Sequence, residues 1–153
     1  MNIAFFLTPK KDVIFETTDS TMRQVIERME YHHYTAIPIL DEMGKYIGTI
    51  TEGDLLRKIK NTLGLNIKAC SRIPITDVPM RTRIHPVYIQ CNIEDLAQTV
   101  TNQNFVPVLD DDDQFIGIIK RSDILHYLFE KVLPQEKENE KKQSLSANKK
   151  QDL

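Results

Sequence analysis

The sequence predicts an α+β fold of two tandem β-α-β-β-α repeats, packed sheet to sheet with pseudo-twofold symmetry. Three observations predict it. Pro38 and Pro107, Gly48 and Gly117, and Asp54 and Asp123 are each separated by the same 69 positions. The surrounding words match as well: Ile37-Pro38-Ile39-Leu40-Asp41 with Val106-Pro107-Val108-Leu109-Asp110, and Tyr46-Ile47-Gly48-Thr49-Ile50 with Phe115-Ile116-Gly117-Ile118-Ile119. Upstream of each match, apolar residues recur at helical spacing, and within each match β-branched residues form short runs. A repeat of this length is a duplicated subdomain and not a solenoid unit.

The elements follow in order. Asp12 to Thr17 reads as an extended segment. Met22, Val25, Ile26 and Met29 then mark one helix face, with Asp19 and Ser20 as candidate caps. Thr35 to Leu40 is a strand, Asp41-Glu42-Met43-Gly44 a polar turn, and Lys45 to Ile50 a second strand. Leu55, Leu56 and Ile59 make the inner face of a closing helix. The second copy runs the same way. An extended segment spans Ile84 to Gln90, and a helix carries Ile93, Leu96, Ala97 and Val100 after a cap at Asn92. A strand from Phe105 to Leu109, the turn Asp110 to Asp113, a strand from Gln114 to Ile119 and a last helix with Ile124, Leu125, Leu128, Phe129 and Val132 complete it. One copy of roughly 60 residues buries too little surface to stand comfortably alone, and two facing copies resolve this. The expected boundaries are repeat 1 at 1–60, a linker at 61–76, repeat 2 at 77–133 and a charged tail at 134–153, whose first part can extend the last helix and whose end is disordered.

Composition narrows the function classes. The 153 residues carry a net charge of -2, with no global attraction to nucleic acid or an anionic membrane. The first apolar patch ends at Leu7, has no basic leader and is too short for a signal peptide. No run approaches the ~20 apolar residues that span a bilayer. Cys70 and Cys91 form neither a metal pair nor a disulfide framework and read as reduced cytoplasmic thiols. His32-His33 does not make a metal site, because adjacent residues point apart and no further ligands complete a shell. Asp110 to Asp113 lacks the spacing of an EF-hand loop and reads as a solvated turn. No metal site is expected. Nor is there a nucleophile–base pair or a phosphate loop, so no catalytic residue and no enzymatic activity are expected.

A helix, an Ile-Pro-Ile or Val-Pro-Val strand, a Gly-containing strand and then Thr-x-x-Asp opening a helix resemble the CBS domain. The words here are Tyr34-Thr35-Ala36-Ile37-Pro38 and Gly48-Thr49-Ile50-Thr51-Glu52-Gly53-Asp54. Two copies in register, over residues 3 to 133, resemble a CBS pair or Bateman module. With no enzymatic or DNA-binding segment beside them, the chain resembles the small free-standing bacterial pairs. Some of these bind cyclic di-AMP and act on separate proteins, and the Tyr34 to Pro38 wording is similar to that subgroup. The resemblance implies a regulatory adenine nucleotide, such as AMP, ADP, ATP or cyclic di-AMP, and no cofactor. It also implies a homodimer and a separate target protein.

Residue by residue, a carboxylate in a first helical turn can accept hydrogen bonds from ribose hydroxyls, which fits Asp54 and Asp123. The helix start favours phosphate, where Thr51 adds a hydroxyl. The same Thr-x-x-Asp is also a capping box, and the two roles are compatible. In the second copy Lys120 replaces the threonine, so the two clefts are expected to differ. Lys120 is placed to meet phosphate or to fill its site, and Arg121 is a candidate phosphate clamp. Ile37-Pro38 and Val106-Pro107 mark interrupted strand edges whose free backbone groups can read a base, or which only guard against edge pairing. Tyr34 and Phe105 are candidates for stacking, while Thr35 and Ala36 belong to the same word. Val13 and Ile14, and Pro86 and Val87, match where the family presents backbone to the base. Lys10, Lys11, Arg81 and Arg83 lie where phosphates would need neutralising. The alternative function is an interaction scaffold with no nucleotide site, in which both aspartates only cap their helices.

Overall fold

The computed structural model describes residues 2–149. Repeat 1 folds as β2 (Glu16–Thr17), α1 (Met22–His32), β3 (Ala36–Leu40), β4 (Tyr46–Thr51) and α2 (Glu52–Asn61). Repeat 2 folds as β5 (Val87–Tyr88), α3 (Ile93–Val100), β6 (Phe105–Leu109), β7 (Phe115–Lys120) and α4 (Arg121–Lys149). In each, a short first strand runs parallel to the second, and the second and third form an antiparallel hairpin.

Local chemistry sets these elements. Met22, Val25 and Met29 are buried on one stripe of α1. Thr21, and not the expected Asp19 or Ser20, caps it, in a reciprocal box with Gln24. Ser20 is engaged elsewhere, its hydroxyl 2.5 Å from the Glu16 carboxylate. Asn92 caps α3 as the sequence indicates, accepting from the Asp95 N–H. The two hairpin turns are built alike. Asp41 accepts from Met43 and Lys45 N–H groups, and Asp110 from those of Asp112 and Gln114. Asp110 therefore serves its own turn.

The extended segments form only two residues of strand each, shorter than expected. Thr18 N–H donates to Leu40 C=O, and Ile89 N–H to Leu109 C=O. Stepping back along each parallel ladder by twos, the next donors on β3 and β6 fall at Pro38 and Pro107. Proline has no N–H, so the ladders stop.

The start of the chain crosses to the other repeat. β1 (Leu7–Pro9) pairs antiparallel with β7, extending that sheet to the order β1-β7-β6-β5. Ile3 and Phe6, in a 3-10 turn before it, are buried in the core of repeat 2 with Leu96, Val106 and Ile119. Part of the expected linker, with Val78 just beyond it, does the reciprocal job. Cys70, Ile75 and Val78 complete the core of repeat 1 with Met22, Ile37 and Ile50. Backbone bonds from Met22 N–H to Ile73 C=O and from Ile75 N–H to Ser20 C=O fasten it.

The two sheets meet through a third cluster of Val13, Leu40, Leu109 and Phe115. Tyr46 and Phe115 stack across it at 6.4 Å, and Phe115 N–H donates to Gly44 C=O. Burial of these side chains from both halves makes the repeats mutually dependent. Residues 134–149, expected as a charged tail with a disordered end, continue α4, since Glu, Lys and Gln favour helix. Residues 150–153 of that tail lie outside the described residues. No helix among the described residues is long and apolar enough to cross a membrane.

Candidate functional site

Packing the sheets face to face leaves two hollows between the repeats. The first is lined from repeat 1 by Val13, Ile14, Tyr34, Ala36, Ile37 and Pro38, and from β1 and its following turn by Thr8 and Asp12. Phe105, Ile118 and Lys120 close it from repeat 2. Its empty space is about 330 Å³. The second is lined by Thr35, Ala36, Thr51, Glu52 and Gly53 on one side, and by Thr82, Arg83, Ile84 and Asn102 to Phe105 on the other. It is wider, at about 760 Å³. Both figures include space open to solvent; the enclosed space is about 40 Å³ in the first and about 330 Å³ in the second, and only the second reaches the ~300–1,000 Å³ of small-ligand sites. Ala36 and Phe105 line both hollows and form the partition between them.

The first hollow thus brings together eight of the residues singled out from the sequence. Its polar content is sparse and specific. Lys120 is partly exposed, and among the described residues its side chain makes no ion pair. The Ile14 peptide sits where the ladder stops at Pro38, and its N–H and C=O have no partner among the described residues. A base edge offering a donor beside an acceptor would satisfy both groups. Ile37 and Pro38 give apolar surface alongside.

Other candidates sit elsewhere. Asp54 is 1% exposed and lines neither inter-repeat hollow. Its carboxylate accepts from Thr51 N–H at 3.0 Å, from Arg57 Nη2 at 2.6 Å and from Arg81 N–H at 3.1 Å. Of the two roles open to the motif, the capping box is formed in full, with Thr51 Oγ1 accepting from Asp54 N–H. The expected ribose contact competes with the carboxylate's own bonds, which take three of its roughly four acceptor sites. Asp54 borders a separate small hollow with Arg57, Lys58 and Arg81. Asp123 is half-buried in the first turn of α4, three residues beyond Lys120, and lines neither inter-repeat hollow. Arg121 lines neither hollow itself and turns its guanidinium to the side chain of Asn104, which lines the second hollow. Val106 and Pro107 are buried, Val106 in the core of repeat 2. Val87 packs against that core too. The register explains this: Glu16 lies beside Ile39 as Val87 lies beside Val108, so the counterpart of Ile14 is His85, not Val87. Lys11 is exposed in the turn Lys10–Asp12 that flanks the first hollow.

Sequence reasoning passed over Gln103, which is buried against His85, and Tyr46. The Tyr46 hydroxyl accepts from Thr49 at 2.7 Å and donates to Ile84 C=O at 3.1 Å, bracing one wall of the second hollow. Burial pushes its pKa up to about 12, against a smaller lowering by the Thr49 hydrogen bond. Its apolar spacing in the strand gave no sign of this polar role.

A family model described as CBS domain matches residues 6–61 and 71–130. An uncharacterized protein of Methanocaldococcus jannaschii is 25% identical over 131 residues, covering 84% of this chain and 45% of that protein. The inosine-5'-monophosphate dehydrogenase of the same organism is 28% identical over 121 residues, 75% of this chain and 21% of the enzyme. The chain therefore spans less than half the length of these two relatives. Among solved structures, CbpB in complex with c-di-AMP matches with a TM-score of 0.79 at 21% identity, covering 90% of this chain and 91% of that one. CBSX2 in complex with AMP matches with a TM-score of 0.68 at 23% identity, covering 84% and 96%. At these identities the likeness is one of fold.

Proposed function

We propose that this chain, which belongs to the CBS domain family, is a regulatory module that binds an adenine nucleotide in its first inter-repeat hollow and does not turn it over. The observation that carries the reading is the Ile14 peptide, unpartnered on the wall of a hollow that Lys120 closes from the opposite repeat. The base would take the Ile14 N–H and C=O, Ile37 and Pro38 would pack on it, and Lys120 would meet phosphate. Structural neighbours solved with c-di-AMP and with AMP support the ligand class. Because residues from both repeats line the hollow, a ligand binds one arrangement of the repeats better than another. That difference is the signal a partner protein would read.

The homodimer expected of the family has a candidate face. Leu56 on α2 and Leu125, Leu128 and Phe129 on α4 are exposed apolar residues, and Leu56 and Leu125 occupy matching places in the two repeats. The burial of Asp54 and its three internal hydrogen bonds favour the second reading, a scaffold without a nucleotide site. Thermal melts against AMP, ADP, ATP and cyclic di-AMP separate the two. A ligand at ~100 times its dissociation constant adds ~2.7 kcal/mol to stability, and Lys120→Glu should remove that gain. A melt unmoved by all four ligands gives the scaffold reading instead, and loss of intact nucleotide on incubation ends the non-catalytic one.

A further inference from the structure

The two inter-repeat hollows have the same ancestry in the repeat but not the same contents. In repeat 2 the position of Ile14 belongs to His85, and the ladder stops at Pro107 as it stops at Pro38 in repeat 1. There the resemblance ends. His85 N–H donates to Gln103 Oε1 at 2.9 Å, and Gln103 Nε2 donates to His85 C=O at 3.3 Å. The same amide nitrogen also donates to Phe105 C=O at 3.3 Å. Gln103 is 7% exposed, so this is an internal, fully satisfied arrangement. Repeat 1 has Tyr34 at the matching position, two residues before Ala36 as Gln103 is before Phe105. Tyr34 is 40% exposed, stacks on His32, and leaves the Ile14 peptide alone.

A carboxamide presents an acceptor and a donor side by side in one plane. The amino-pyrimidine edge of adenine presents the same pair. We infer that Gln103 occupies the base position of the second hollow with the chain's own amide, so that the first hollow alone offers a nucleotide base an unpaired backbone edge. A base entering the second hollow would have to displace that amide, breaking its bonds to one donor, His85 N–H, and to two acceptors, the carbonyls of His85 and Phe105. The larger size of the second hollow does not help, because what a base must read there is already read. Gln103 is accordingly a specificity-determining residue that sets the stoichiometry. The inference rests on the proposed nucleotide site but fails or stands separately from it.

The test is a count of AMP bound per chain, by equilibrium dialysis at millimolar AMP, in the wild type, Gln103→Ala and Gln103→Tyr. The alanine variant vacates the amide, and the tyrosine variant gives repeat 2 the residue of repeat 1, so one folded variant suffices. A cooperative melt verifies the fold. The expected counts are one for the wild type and two for a variant. The inference is overturned if no folded variant gains a site over the wild type, or if the wild type already binds two. A wild type that binds none beside a variant that binds one would sink the proposed function at the first hollow and leave the role of Gln103 intact.

Discussion

The Asp54 carboxylate lies 2.6 Å from the guanidinium of Arg57, one turn further along α2, and lines neither inter-repeat hollow. Its side chain is fully buried while that of Arg57 keeps 38% of its exposure. Asp54→Ala removes the ion pair, the reciprocal cap and the tie to Arg81 N–H. Stability should fall by about 2–4 kcal/mol, below the cost of breaking a pair buried on both sides. Urea unfolding measures this. The nucleotide-induced melting shift of the folded variant should stay the same size, and its loss would return Asp54 to the binding site.

Lys120 should behave in the opposite way. It makes no ion pair among the described residues, so Lys120→Ala should leave the unfolding free energy measured in urea within about 0.5 kcal/mol of the wild type. A charge-assisted contact to phosphate is worth about 1.5–3 kcal/mol, so AMP affinity should fall by about tenfold or more. Isothermal titration reads both the loss and its weakening at high salt. An unchanged affinity would place the phosphate elsewhere.

Tyr46 links stability to alkaline pH. Its phenol is neutral when protonated, and burial holds the folded-state pKa near 12 against 10.0 for the free group. The folded state therefore keeps its proton more tightly than the unfolded state. The stabilisation is complete below pH 10 and declines as the pH rises from 10 through 12, by up to about 2–3 kcal/mol. In an absorbance titration at the phenolate band, one of the five tyrosines should ionise last. The Tyr46→Phe variant should lack that step.

Two glycines at matching positions should respond unequally to alanine. A Cβ on Gly117, whose φ is +156°, would lie 2.1 Å from the carbonyl oxygen of Thr8 on β1. One on Gly48 would meet only the Met80 thioether, at 2.8 Å. Backbone cannot yield as a methionine side chain can. Gly117→Ala should cost more than about 2 kcal/mol and loosen β1, while Gly48→Ala should cost less than about 1 kcal/mol. Hydrogen exchange at Leu7 and Ile119 reports the loosening directly.

The repeats and hairpins were legible because their marks are local. Pro38, Gly48 and Asp41 each answer a demand of the backbone next to them, and their counterparts repeat it. The lining of the first hollow was legible in part for the same reason, since Val13 and Ile14 lie on the extended segment before β2 and Ala36 to Pro38 on β3, both of which the repeat defines. Asp54 was ambiguous because a cap and a ribose acceptor need the same residue at the same place. Only burial and the arrival of Arg81 N–H, from 27 positions away, decide between them. The exchanged segments escaped notice because Ile3, Phe6, Cys70 and Ile75 sit in single 3-10 turns, too short to carry a period. Gln103 escaped because its task is to replace a hydrogen bond that a proline four residues later cannot make.

The crossing of Ile3 and Phe6 into the second core means that neither half owns all of its own interior. A gene cut after Asn61 would yield a first fragment carrying a lid it cannot use and lacking the one it needs. The second fragment, 62–153, would keep Cys70 and Ile75 with nothing to cover. Each piece alone would leave apolar surface bare, whereas the two mixed together would rebuild a whole. Any other copy could supply the missing lid, so newly made or damaged chains would be open to trading their first nine residues.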